Sequence, residues 1–180
     1  MVARKEQIFW TAEVAEILGI PEWRVIKIAT GEEYGIKPRR SAKGSGTRRM
    51  YDIENVCAIA LAVRLLETGL RPKVIGDVIV KLRATGRLSS TLRIGSPIPE
   101  TLYLAVGRHA SIGRPLNQSR HQRVKLLDFE QEGFEAGLQD FWNEMSESFG
   151  PDVDVILVAV GPIFKEINMN LERIRAEEGK

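Results

Sequence analysis

Between Thr11 and Arg49 the chain passes from an apolar-periodic run, through a Gly-Ile-Pro turn, into a second short amphipathic run and then a loop of purely positive charge. In the first run Val14, Ile17 and Leu18 share one helical face. Thr11 is placed to cap its start, Glu13 and Glu16 suit the positive helix end, and Gly19 stops it. Pro21 fits the first position of a second helix, in which Val25 and Ile28 point inward while Trp23, Arg24 and Lys27 fall on the other side; Gly31 ends it. Residues 32–47 are rich in Gly, Pro, Ser and basic side chains. Lys37, Arg39, Arg40, Lys43, Arg48 and Arg49 lie in a stretch with no acidic residue among them. This composition predicts an ordered wing or hairpin loop. Helix, tight turn, basic helix and basic loop is the order that a DNA-reading helix with an attached wing requires.

Charge along the chain agrees. The total of 26 Lys and Arg against 24 Asp and Glu is nearly balanced, but the balance is uneven by segment. Residues 1–83 carry 15 basic and 10 acidic side chains, residues 84–127 carry 7 and 1, and residues 128–180 carry 4 and 13. A part that faces a polyanion and an acidic part that stays off the phosphates are expected from such a division.

Asp52 is placed to cap a third helix over 53–68, apolar on nearly every side through Val56, Cys57, Ile59, Ala60, Leu61, Val63 and Leu65, so it must be covered on more than one face. Gly69 closes it. Pro72 opens a fourth helix with a stripe of Val74, Ile75, Val78, Ile79 and Leu82. Thr85, Gly86, Ser89 and Ser90 then read as a boundary. Beyond it, 102–106 and 153–160 have strand composition, 124–129 is a weaker strand, and Phe134, Leu138, Phe141, Met145 and Phe149 mark a helix. Gly161 and Pro162 start a final helix with Ile163, Ile167, Leu171 and Ile174 as its stripe. The expected fold class is α+β. It comprises a mostly helical winged helix-turn-helix domain over 1–83, a linker over 84–101 and a small α/β effector or dimerisation module over 102–180.

The segments FWTAEVAEILGI, PEWRVIKIA, GTRRMYDIENV and LLETGLRPKVIGDVI resemble the MerR family of bacterial transcription regulators over residues 9–82. The resemblance implies a winged helix-turn-helix domain that binds double-stranded DNA as a homodimer, with the second helix in the major groove and the wing beside it. By position, Trp23, Arg24 and Lys27 match the family's recognition helix, and Arg49 with Tyr51 matches its Arg-x-Tyr pair on the DNA backbone. Such side chains suit those roles, since Arg and Lys pair with phosphates and guanine edges and a Tyr hydroxyl donates to a phosphate oxygen. Three departures stand out, one being that the loop from Lys37 to Thr47 differs from the family's usual wing. Lys27 and Ile28 occupy places where the family usually has aromatics, and Thr85, Gly86 and the serines interrupt the place of its long dimerisation helix. The final helix is the expected dimer seam instead, with 1–83 reading DNA on its own.

The function expected is sequence-specific transcription regulation at a two-fold promoter site, with RNA polymerase and an unidentified small-molecule effector as further partners. Two other readings share the same residues: an excisionase-like architectural protein that bends DNA, and a small-substrate enzyme tethered to DNA. No persuasive Ser-His-Asp, metal-hydrolase or paired-carboxylate spacing is present, so no enzyme activity and no cofactor are expected. His109 and His121, among Arg108, Arg114, Arg120, Arg123 and Lys125, read as a basic loop rather than a zinc site. Cys57 is the sole cysteine, which excludes an intrachain disulfide and fits a reducing cytoplasm. No apolar run reaches membrane-spanning length, and the N-terminus lacks a signal-peptide core.

Overall fold

A computed structural model of the chain describes residues 8–40, 48–84, 102–109, 122–128, 134–149 and 153–178. Lys43, the expected boundary residues Thr85, Gly86, Ser89 and Ser90, and His121 lie outside the described residues.

β1 (Ile8–Trp10) pairs antiparallel with β2 (Met50–Asp52), with Phe9 opposite Tyr51. α1 (Thr11–Leu18) follows β1 without a break. Strand pairing runs to Trp10, so the cap falls one residue earlier than expected: Trp10 takes the extended N-cap conformation, Thr11 is the first helical residue, and the Glu13 carboxylate accepts the Trp10 N–H. Gly19 ends α1 at φ 61°, a left-handed conformation that favours glycine, and α2 (Glu22–Thr30) begins after Pro21. A short 3-10 helix (Glu32–Tyr34) follows. α3 (Ile53–Glu67) is capped by Asp52, whose carboxylate accepts from the Asn55 backbone N–H at 2.8 Å. α4 (Pro72–Ala84) buries the expected stripe of Val74, Ile75, Val78, Ile79 and Leu82.

The C-terminal half holds β3 (Leu102–His109), β4 (Gln122–Asp128), α5 (Phe134–Phe149), β5 (Val153–Ala159) and α6 (Gly161–Glu178). The sheet order is β4-β3-β5, with both neighbours antiparallel to β3. The expectation of an α/β module is therefore corrected. β4 and β5 run in the same direction but are separated by β3, so α5 bridges them across an antiparallel sheet. The chain as a whole is α+β and mostly helical.

Side-chain alternation along β3 gives the sheet two covered faces. Ala105 and Tyr103 pack with Phe141 and Met145 of α5, while Leu102, Leu104 and Val106 join a larger cluster. That cluster includes Val14 and Ile17 of α1, the buried length of α3, and Phe164, Ile167 and Leu171 of α6. One core thus runs through both halves, which explains why α3 is apolar all round: α1, α2 and α4 pack on it, and so does α6. The α6 stripe, expected to pair two chains, is spent inside one chain. Ile167 and Leu171 are buried there, and Asn170 Nδ2 donates to the Ile17 carbonyl at 2.8 Å.

Candidate nucleic-acid interface

α2 is held by its apolar side. Val25, Ile28 and Ala29 are buried, the Pro21 carbonyl accepts from the Arg24 and Val25 N–H groups, and the polar side is left outward. Trp23 is 64% exposed and Lys27 is exposed, four residues apart on one face. An exposed Trp at a helix start is not needed by the core. Arg24 differs from its two neighbours: it is half-buried and lines a groove beside α1, α3 and α6.

After α2 the backbone presses close to α4. Gly76 leaves room for the Glu33 carbonyl, since a Cβ at that position would overlap it, and Tyr34 is buried. Burial pushes the Tyr34 phenol pKa up, Glu33 adds to the rise, and Arg24 opposes it. The chain then turns at Gly35 (φ 63°) into the basic loop. Arg40 and Met50 exchange backbone hydrogen bonds at 3.1 and 3.4 Å, so the two limbs of the loop run antiparallel beside the β1–β2 pair. This bridge brings the residues on either side of 41–47 together, and 41–47 themselves lie outside the described residues.

The basic side chains divide into two groups. Arg39 Nε is 2.7 Å from Asp52 Oδ2, so this cation serves the N-terminus of α3. Lys37, Arg40 and Arg48 are exposed, Arg49 is half-buried, and none of these four, nor Lys27, makes an ion pair with another described residue. Tyr51, expected to donate to DNA, is 0% exposed. Its place opposite Phe9 turns the ring into the core, and its hydroxyl is buried with no hydrogen-bond partner of good geometry. Burial pushes its pKa up, while the nearby Thr11 side chain and the Arg49 charge pull the other way. A direct phosphate contact from Tyr51 is incompatible with this placement.

Sequence reasoning missed a polar network under the loop. Asn55 is 2% exposed; its Nδ2 donates to Asp52 Oδ1 at 2.8 Å and its Oδ1 accepts from Arg83 Nη2 at 3.1 Å. Arg83 Nη1 also donates to the Gly35 carbonyl at 2.9 Å, and its Nε lies 2.8 Å from Glu54 Oε1. Arg39, Asp52, Asn55 and Arg83 thus tie the loop base to α3 and α4. The available signal was an Asn inside an otherwise apolar helix, since a buried amide needs partners.

Cys57 is fully buried, and burial beside Asp52 and Glu54 raises its thiol pKa far above the ordinary value. Among the described residues no group of three His, Cys, Asp or Glu could hold a metal ion, and no helix is long and apolar enough to cross a membrane. No protein-family model matches the chain, and a search of curated proteins finds no significant match.

Proposed function

We propose that the chain is a MerR-like winged helix-turn-helix protein that binds double-stranded DNA as a homodimer and regulates transcription. The observation that carries this reading is the outward set of Trp23 and Lys27 on α2, together with Lys37, Arg40, Arg48 and Arg49 on either side of the Arg40–Met50 bridge, none paired with a described acid. Cations left without acidic partners can neutralise phosphates, and an exposed Trp and Lys on one helical face can meet base edges and thymine methyls. Arg39 and Tyr51 belong to the scaffold in this reading. Homodimer formation is supported by the limited DNA surface that one such module covers. With the α6 stripe used inside the chain, Trp142 (40% exposed) and Met169 (61%) are exposed large apolar side chains, among the described residues of the C-terminal half, that can serve pairing. RNA polymerase and a small-molecule effector are the further partners proposed.

Selection from a random duplex pool, followed by anisotropy titrations at fixed salt, tests the reading. A two-fold site should emerge. Trp23→Ala and Lys27→Ala should weaken the selected duplex more than random DNA, by roughly 1–3 kcal/mol per good base contact. Equal loss on both duplexes rejects the reading role of α2.

A further inference from the structure

Where α6 docks on the N-terminal helices it leaves an open groove of about 480 Å³, a size suited to a small molecule. Its floor is apolar, made by Ile17, Ala60, Val63 and Ile167, while Arg24 of α2 and Glu166 of α6 stand on its walls. Arg64 and Glu67 also border it, but they are paired with each other at 2.8 Å. Arg24 and Glu166 make no ion pair with any described residue. Among the described residues the groove therefore presents one unpaired cation and one unpaired anion over an apolar floor.

We propose that this groove binds a small zwitterion with apolar side chains, of the amino-acid or dipeptide class, its carboxylate on Arg24 and its ammonium group on Glu166. A simple anion would meet the Glu166 charge, a simple cation would meet Arg24, and a neutral apolar ligand would desolvate both charges without replacing their water. A zwitterion answers each. Its apolar part gains from covering Val63 and Ile163, both half-buried and both lining the groove. The groove joins two parts of the chain, because α1 and α2 form one wall and α6 the other, latched by Asn170 to the Ile17 carbonyl and by Arg173 to Glu16 at 3.4 Å. Occupancy would hold Arg24 in the groove beside the outward face of α2. That coupling, a weaker hold on DNA when the ligand is bound, rests on the function proposed above; ligand binding itself does not.

The experiment is thermal unfolding of the full chain with L-leucyl-L-leucine. At about 10 mM, a dissociation constant near 0.1 mM should raise Tm by roughly 5 °C or more. The N-acetyl dipeptide and the dipeptide amide, each lacking one charge, should produce little of that shift. Glu166→Gln, at an exposed position, and Val63→Phe, which fills the groove, should each abolish it. No shift in the parent protein, an equal shift with the blocked dipeptides, or an undiminished shift in Glu166→Gln each overturns the site. A second titration adds the dipeptide to the protein on its selected duplex, where at least a threefold loss of DNA affinity is expected. A thermal shift with DNA affinity unchanged overturns the coupling alone. A thermal shift in a protein that binds no DNA overturns the proposed function and leaves the site standing.

Discussion

Arg39 Nε and Asp52 Oδ2 lie 2.7 Å apart across the base of the basic loop, while the other Asp52 oxygen accepts two hydrogen bonds from Asn55. One carboxylate thus caps α3 and anchors the loop. The two tasks separate by substitution. Asp52→Ala loses the cap and leaves the buried Asn55 amide short of an acceptor, and is expected to cost about 1–3 kcal/mol in urea unfolding. Asp52→Asn keeps an acceptor oxygen and should cost less than about 1 kcal/mol, because a half-exposed ion pair contributes little. Equal losses in the two variants would place the stability in the charge rather than the cap.

The same pairing sorts the basic residues by their effect on DNA. A cation that neutralises a phosphate contributes about one unit to the slope of log K against log salt. Arg49→Ala should flatten that slope by about this amount, whereas Arg39→Ala should flatten it much less because Arg39 already has an acidic partner. Indistinguishable slopes would show that Arg39 leaves Asp52 on binding.

Tyr51→Phe separates scaffold from contact. Its hydroxyl is wholly buried without a well-formed hydrogen bond, and an unsatisfied buried polar group costs roughly 1–3 kcal/mol. The variant should be as stable as the parent or more stable by up to about 1 kcal/mol, with DNA affinity unchanged. A clear fall in affinity at unaltered stability would mean that the ring turns outward when DNA binds.

What was legible in the sequence followed local rules. Gly19, Pro21, Gly31, Asp52, Gly69 and Pro72 punctuate α1 to α4 as their backbone chemistry requires. The 3.6-residue periodicity of Val74, Ile75, Val78, Ile79 and Leu82 chose the buried face of α4 correctly. Non-local facts were not legible. Nothing in Ile163, Ile167 and Leu171 says whether a helix stripe meets a second chain or α1 of its own chain. Neither Tyr51 nor Arg39 could be placed until the Phe9 register and the second Asp52 oxygen were known. β3 extends through Gly107 to His109, beyond its apolar run, because strands on both sides pair with it there.

Two buried glycines with different neighbours should respond differently to alanine. At Gly76 the added Cβ would overlap the Glu33 carbonyl, and backbone held between the Gly31 and Gly35 turns cannot move aside cheaply. At Gly107 it would meet the Met145 side chain, whose three rotatable bonds let it yield. Gly76→Ala is expected to cost about 3 kcal/mol or more and Gly107→Ala roughly 1–2 kcal/mol, by chemical denaturation. The reverse order would show that the 3-10 helix is the softer contact.

Cys57 sets a pH dependence with a definite sign. Its folded pKa is raised, so above the ordinary thiol value of about 8.5 the unfolded chain loses this proton while the folded chain keeps it. Stability contributed by the neutral thiol is therefore present below that pH and falls as pH rises, by up to about 1.4 kcal/mol per unit. Cys57→Ala should remove this alkaline slope, at some cost in packing. The native thiol should also resist iodoacetamide at pH 8 until the protein unfolds. Rapid alkylation of the folded protein would contradict the burial.

Removing α6 tests whether the N-terminal half stands alone. Residue pattern and charge alone predict that residues 1–83 carry DNA reading by themselves. In the structure Phe164, Ile167 and Leu171 bury against a core that includes α1 and α3, and each such side chain contributes roughly 1.5–3 kcal/mol when fully buried. Their combined loss is comparable with the whole stability of a domain, about 5–15 kcal/mol. Truncation also takes Asn170 from the Ile17 carbonyl. A chain ending at residue 160, and likewise the fragment 1–83, should then show reduced helicity and a broad, non-cooperative thermal transition. Adding a peptide spanning 161–180 should restore part of the transition. A fragment 1–83 that unfolds cooperatively near the parent Tm would show that the contacts of α6 with α1 and α3 contribute little, and that the two halves are separate folding units.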